Sequence, residues 1–142
     1  MSNLNSHDSK FKEQNAEHFA QLVNIAMANR VITSIEKELL YRMGKKLGFT
    51  VHEADSIIEK VFWADYTPPE ILSKRFEQAY DIVRMTLVDG GIDKDEMRLV
   101  SKFIAKIGFN EREIPNLILV LLRGIRQKKK VEELIEIYLK TR

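Results

Sequence analysis

Residues 82–118, IVRMTLVDGGIDKDEMRLVSKFIAKIGFNEREIPNLI, decide the fold, because the chain carries them twice. Residues 22–58 read LVNIAMANRVITSIEKELLYRMGKKLGFTVHEADSII, and the two stretches align at a constant shift of 60 without a gap. Ile32 stands with Ile92, Glu36 with Glu96, Leu39 with Leu99 and Lys46 with Lys106. Gly48-Phe49 stands with Gly108-Phe109, and Glu53 with Glu113. A fixed period that repeats glycine, apolar and acidic positions marks a duplicated supersecondary unit.

Each copy reads as helices. Phe19, Leu22, Val23 and Ala26 form one stripe at helical spacing, and Leu39, Leu40, Met43 and Leu47 a second. Ala54, Ile57, Ile58 and Val61 form a third. Copy two repeats the pattern through Phe76, Ala79 and Val83, then Leu99, Val100 and Phe103, then Ile114, Leu117 and Leu121. The last of these has further apolar residues between, as a central buried helix would. Val131, Leu134, Ile135 and Tyr138 give a seventh stripe. No stretch alternates with period two long enough for a strand.

Start and stop signals agree. Thr33 to Glu36, Thr50 to Glu53 and Thr67 to Glu70 match the capping box, with Pro68 at a first helical position. Asp93 to Glu96 and Asn110 to Glu113 are the same device with other cap residues. Gly48 and Gly108 follow Lys-rich last turns, where a left-handed C-terminal cap favours glycine. The expectation is an all-α fold, with about seven helices in one domain over residues 1–142. Repeat one covers about 19–64, repeat two about 68–124 and a C-terminal helix about 131–140, the repeats related by an approximate two-fold. Residues 1 to about 8 are expected to fray.

Composition narrows the function classes. The chain has 142 residues, 44% hydrophobic and 31% charged, ordinary values for a soluble domain. A net charge of +2 is too small to argue for nucleic acid or an anionic membrane. The absence of cysteine removes disulfides and thiolate chemistry. The longest apolar run, Leu117 to Leu122, falls far short of the ~20 residues that span a bilayer. The polar first residues carry no secretory signal, and a cytoplasmic location is expected. There is no phosphate-binding glycine loop, nucleophile elbow or His-Glu-x-x-His, so the chain is not expected to be an enzyme.

One loop could carry chemistry. Asp89-Gly90-Gly91-Ile92-Asp93-Lys94-Asp95-Glu96 fits positions five to twelve of a calcium loop, including glycine at six and glutamate at twelve. Positions one and three would be Met85 and Leu87, which offer no oxygen ligand, so the segment supplies about half of the six to eight oxygens calcium takes. Two readings stand side by side. Asp93, Asp95 and Glu96 fill the cap and first turn of a helix, where the dipole favours negative charge. Alternatively Asp89, Asp93, Asp95 and Glu96, with Glu36 of copy one, hold a hard divalent cation, for which oxygen ligands favour Ca²⁺, Mg²⁺ or Mn²⁺.

The run Met85 to Glu96, closing at Ile107-Gly108, resembles the tellurite-resistance protein B (TerB-like) family. Its marks are a helix ending in Asp-Gly, a short turn to Ile, a capped helix containing Glu and an Ile-Gly stop. Residues 25–36 give a second, weaker match, and together the two cover about Phe19 to Leu122. The resemblance implies a pseudo-symmetric helical domain in a cytoplasmic stress or metal-resistance pathway, working as an adaptor or sensor through another protein. It also implies metal ligands at Asp89, Glu96 and Glu36. Copy one departs from the family pattern at Asn29 and Arg30, where aspartate and glycine would stand.

The remaining features have plainer explanations. His7, His18 and His52 are scattered and read as solvent-facing, since a metal site needs several convergent ligands. Phe62-Trp63-Ala64-Asp65-Tyr66 reads as a plug between the copies, or else as a partner-binding patch. Arg123, Arg126 and Lys128 to Lys130 read as a solvated connection that also complements a helix C-terminus.

Overall fold

A computed structural model describes the backbone of residues 2–28, 32–62, 64–87 and 91–142, and the side chains within those ranges from Glu13 onward. Among them are seven helices and no strand: α1 Ser2–Ala26, α2 Ser34–Lys46, α3 Val51–Val61, α4 Leu72–Thr86, α5 Lys94–Ile107, α6 Ile114–Arg126 and α7 Val131–Thr141. The chain falls into two compact units, residues 1–66 and 67–142, divided just before Pro68-Pro69. In the first unit α1 and α2 both pack on α3; in the second α4, α5 and α6 pack on one another and α7 lies on α4 and α6.

Local chemistry sets most helix ends. Thr50 Oγ1 accepts the Glu53 N–H (3.1 Å) while Glu53 Oε1 accepts the Thr50 N–H (3.0 Å), a complete capping box. Thr33 Oγ1 accepts the Glu36 N–H at 3.1 Å to open α2. Gly48 and Gly108 follow α2 and α5 at φ +93° and +115°, a left-handed conformation that a Cβ would strain. Asn15 Nδ2 donates to the Leu47 carbonyl (3.2 Å), satisfying one of the acceptors that the end of α2 leaves open. At the equivalent position of the second unit, the Arg75 guanidinium lies against Gly108 and donates to the Pro69 carbonyl.

Three ends differ from expectation. The capping box at Thr67 to Glu70 does not form: α4 begins at Leu72 behind an Ile71 cap that makes no side-chain hydrogen bond. The reason is the second proline, which disfavours helical geometry at Pro68 and carries the chain past the motif in irregular form. Asn110 does not cap α6. A helix begun there would need Pro115 to donate an N–H to the Glu111 carbonyl, and proline has none. Instead Asn110 Oδ1 accepts the Arg112 N–H (3.0 Å), and α6 starts at Ile114 with Pro115 in its first turn. The N-terminal residues expected to fray belong to α1, which begins at Ser2; no proline or glycine interrupts that stretch.

The buried positions repeat at the same shift of 60. Leu39 and Leu99, Leu40 and Val100, Met43 and Phe103, Leu47 and Ile107, and Phe49 and Phe109 are all buried. At three positions the repeat keeps volume rather than identity. The first unit has Phe19, Gly44 and Ala54, in mutual contact range: a Cβ on Gly44 would lie 3.2 Å from Phe19 Cζ and 3.4 Å from Ala54 Cβ. The second unit has Ala79, Ile104 and Ile114, also buried. One large ring in α1 does for the first unit what two isoleucines in α5 and α6 do for the second, as close packing requires.

Candidate functional site

Two carboxylates of the acidic loop, Asp93 and Glu96, form the capping box of α5. Glu96 N–H donates to Asp93 Oδ1 (2.8 Å), and Asp93 N–H donates to Glu96 Oε1 (3.1 Å). Each carboxylate thereby commits an oxygen to the start of α5, and Glu96 is buried in that role. Asp95 is exposed in the first turn. Asp89 lies outside the described residues, as do Asn29, Arg30 and Trp63. Glu36 stands at the matching position of α2, buried, in the other unit. Among the described residues no three His, Asp or Glu side chains come together where they could hold an ion.

The side chain of His7 lies outside the described residues. The basic run is only partly a connection: Arg123 and Arg126 lie in the last turn of α6, and Lys128 to Lys130 join it to α7. Lys128 takes φ +58°, and Lys129 N–H donates to the Gly124 carbonyl (2.9 Å), closing α6 where glycine would be commoner. His18 is half-buried on α1 and His52 is exposed on α3. No helix among the described residues is long and apolar enough to cross a membrane.

The feature that sequence reasoning misses is a groove in the first unit, between α1 and α3, of about 470 Å³. Its floor is Ala16 from α1, Phe49 from the α2–α3 turn and Ile57 from α3. Its rim carries Glu13, His52, Glu53 and Ser56. Glu53, Ser56 and Ile57 share one face of α3 at spacings of three and four, and Glu13 and Ala16 do the same on α1. Phe49 is fixed from behind. Gly48 turns the chain, the Phe49 N–H donates to the Gly44 carbonyl (2.9 Å), and the ring meets Phe19 at 5.8 Å between centroids. His52 and Ser56 sit one helical turn apart on α3, both exposed at the rim. The groove offers an apolar seat with an acidic rim. A second opening of the same unit, between α2 and α3, is crossed by a hydrogen bond from the Tyr41 hydroxyl to Asp55.

The corresponding region of the second unit is covered by α7. Tyr138 is fully buried, with its ring 5.7 Å from Phe76 and 6.1 Å, edge-on, from Phe109. Its hydroxyl donates to Glu113 Oε2 (2.6 Å), and Arg142 Nε donates to Glu113 Oε1 (3.3 Å). The hydrogen bond from Tyr138 and the nearby Arg142 hold the Glu113 carboxyl below the usual carboxylate range, while burial and that carboxylate push the Tyr138 phenol up to about 12. Asn116 Nδ2 donates to Thr141 Oγ1 (3.0 Å). Leu134 fills the notch left by Gly124, where an added Cβ would lie 2.0 Å from Leu134 Cδ2.

Compared with protein-family models, with curated proteins and with solved structures, the chain has no match in any of the three.

Proposed function

We propose that this chain is a TerB-like, non-enzymatic interaction domain, an adaptor or sensor of a cytoplasmic stress or metal-resistance pathway that works by binding another protein. The observation that carries this reading is the α1–α3 groove, an apolar floor of Ala16, Phe49 and Ile57 open beside two glutamates. Open apolar surface with a polar rim is the ordinary form of a protein-binding patch. The acidic loop supports the same side of the choice, because capping accounts for Asp93 and Glu96 without an ion. The resemblance in residues 25–36 and 85–96 supplies the pathway.

The test is a photo-crosslinking residue placed at Ser56 in living cells. The expected result is a discrete adduct with a second polypeptide that disappears when Ala16→Trp fills the groove. An adduct spread over many proteins, or one indifferent to Ala16→Trp, overturns the reading.

A further inference from the structure

The shift of 60 that relates the two copies also relates the open groove to the seat of α7. Ala16 corresponds to Phe76, Phe49 to Phe109, Glu53 to Glu113 and Ser56 to Asn116. In the second unit those four residues touch α7: Phe76 and Phe109 hold the Tyr138 ring, Glu113 takes its hydroxyl and Arg142, and Asn116 binds Thr141. In the first unit the same four positions line the groove of about 470 Å³. Copy one ends at the Asp65 to Pro69 break and brings no helix of its own to lay there.

We infer that the α1–α3 groove is a docking site for an amphipathic helix of a partner protein, built on the pattern by which α7 occupies the second unit. The inference rests on the interaction-domain reading and gives that partner a chemistry. The occupant presents a large aromatic side chain to Phe49 and Ala16, and an arginine or lysine four residues later to Glu53, as Tyr138 and Arg142 do for Phe109 and Glu113. Two substitutions adjust the pattern. Alanine in place of Phe76 widens the floor, so a tryptophan fits as well as a tyrosine. Glu13 in place of Ser73 adds a carboxylate to the rim, so the occupant's polar edge is basic. A helix laid in a groove through spaced anchors is an established recognition mode.

The α7 of a second copy is the weaker occupant. Tyr138 is fully buried and bonded in its own seat, and Leu134 is interlocked with Gly124 there. The first unit has no such notch, because α3 ends at Val61, before the position that corresponds to Gly124.

The probe is a synthetic, N-acetylated peptide of residues 129–142 carrying Leu134→Ala, which removes the side chain that only the Gly124 notch receives, titrated into the intact chain and followed by amide chemical shifts. Its binding is expected to move the resonances of residues 13–17 and 49–57. Ala16→Trp, and separately the exposed-site change Ser56→Lys, should each weaken it at least tenfold while leaving the thermal midpoint in place. A peptide with alanine at position 138 should lose binding to the same extent. The inference is overturned by an absence of shifts at millimolar peptide, by shifts confined to α4 and α6, or by affinity unchanged in both variants. It is also overturned if the chain self-associates in sedimentation and Ala16→Trp disperses it, since the occupant is then a second copy. A Ser56 adduct without peptide binding removes this inference and leaves the interaction-domain reading standing; the absence of both removes both.

Discussion

Unit one and unit two solve the same packing problem with different parts, and the difference centres on one carboxylate in each. Glu53 closes the capping box of its own helix, whereas Glu113 reaches α7. The cause is Pro115. By delaying α6 to Ile114 it leaves Glu113 as the residue before the helix instead of its third member, and frees the side chain for a partner 25 residues away. Residues that read alike in a repeat can thus serve a local purpose in one copy and a tertiary one in the other. The first unit is left with an uncovered groove, and the second with a helix that must be kept in place.

The largest effect is expected in the core exchange. Phe19→Ala should cost about 4 kcal/mol in urea unfolding, as loss of a buried ring does. Gly44→Ile alone should cost about 2 kcal/mol, because its Cβ begins 3.2 Å from Phe19 Cζ. The double variant, which moves α1 and α2 toward the α4 and α5 solution, should be less harmful than the sum by about 1 kcal/mol or more. Strict additivity in that cycle would show that the two units do not trade volume in the way described.

Next is Gly124→Ala. With a Cβ 2.0 Å from Leu134 Cδ2, α7 must shift or leave, and about 2 kcal/mol should be lost together with amide protection across residues 131–141. Protection that persists there would mean that α7 tolerates a looser seat.

Tyr138→Phe should cost about 1.5 kcal/mol, the lower end for a hydrogen bond to a carboxylate that keeps some exposure. The pair also sets a pH window. Glu113 is held below its ordinary 4.5, so its contribution is present above that value and is lost as pH falls through the depressed folded value. Tyr138 is raised from 10.0 to about 12, so its contribution is complete below pH 10 and is lost as pH rises toward 12. Phenolate absorbance should show one tyrosine titrating near 12, and Glu113→Gln should bring it down.

The smallest effect concerns the caps. Asp93→Ala should cost about 1 kcal/mol, and Thr50→Ala a similar amount. The midpoint of the wild-type chain should be the same in chelator and in Ca²⁺, Mg²⁺ or Mn²⁺. A rise with one of these ions that Asp93→Ala abolishes would make the loop a site and set the two units further apart than their packing does.

Seven helices are legible in the sequence because periodicity and caps are local: Thr33, Thr50, Asp93, Gly48 and Gly108 do what their neighbours within five residues dictate. The departures at Thr67 and Asn110 have one origin. Each capping motif has a proline behind it, and a missing N–H or a pre-proline clash outranks a favourable cap. The groove is hidden in the sequence because it draws on residues from Glu13 to Ile57, and His52 and Glu53 have sufficient local explanations as a surface histidine and a cap. The usable signal is the repeat itself, since copy two continues into a seventh helix and copy one does not.

The notch at Gly124 has a further meaning on the ribosome. Synthesis proceeds at about 5–20 residues per second, so Tyr138 joins the chain roughly one to five seconds after Glu113. Until α7 docks, the α4–α6 seat stands open, and the α1–α3 groove, whose residues are made first, offers the helix a similar surface. Leu134 settles the choice, because α6 has Gly124 to receive it and the lining of the α1–α3 groove has no glycine. A residue with no side chain thus acts as a proofreading element for the order in which the molecule is assembled.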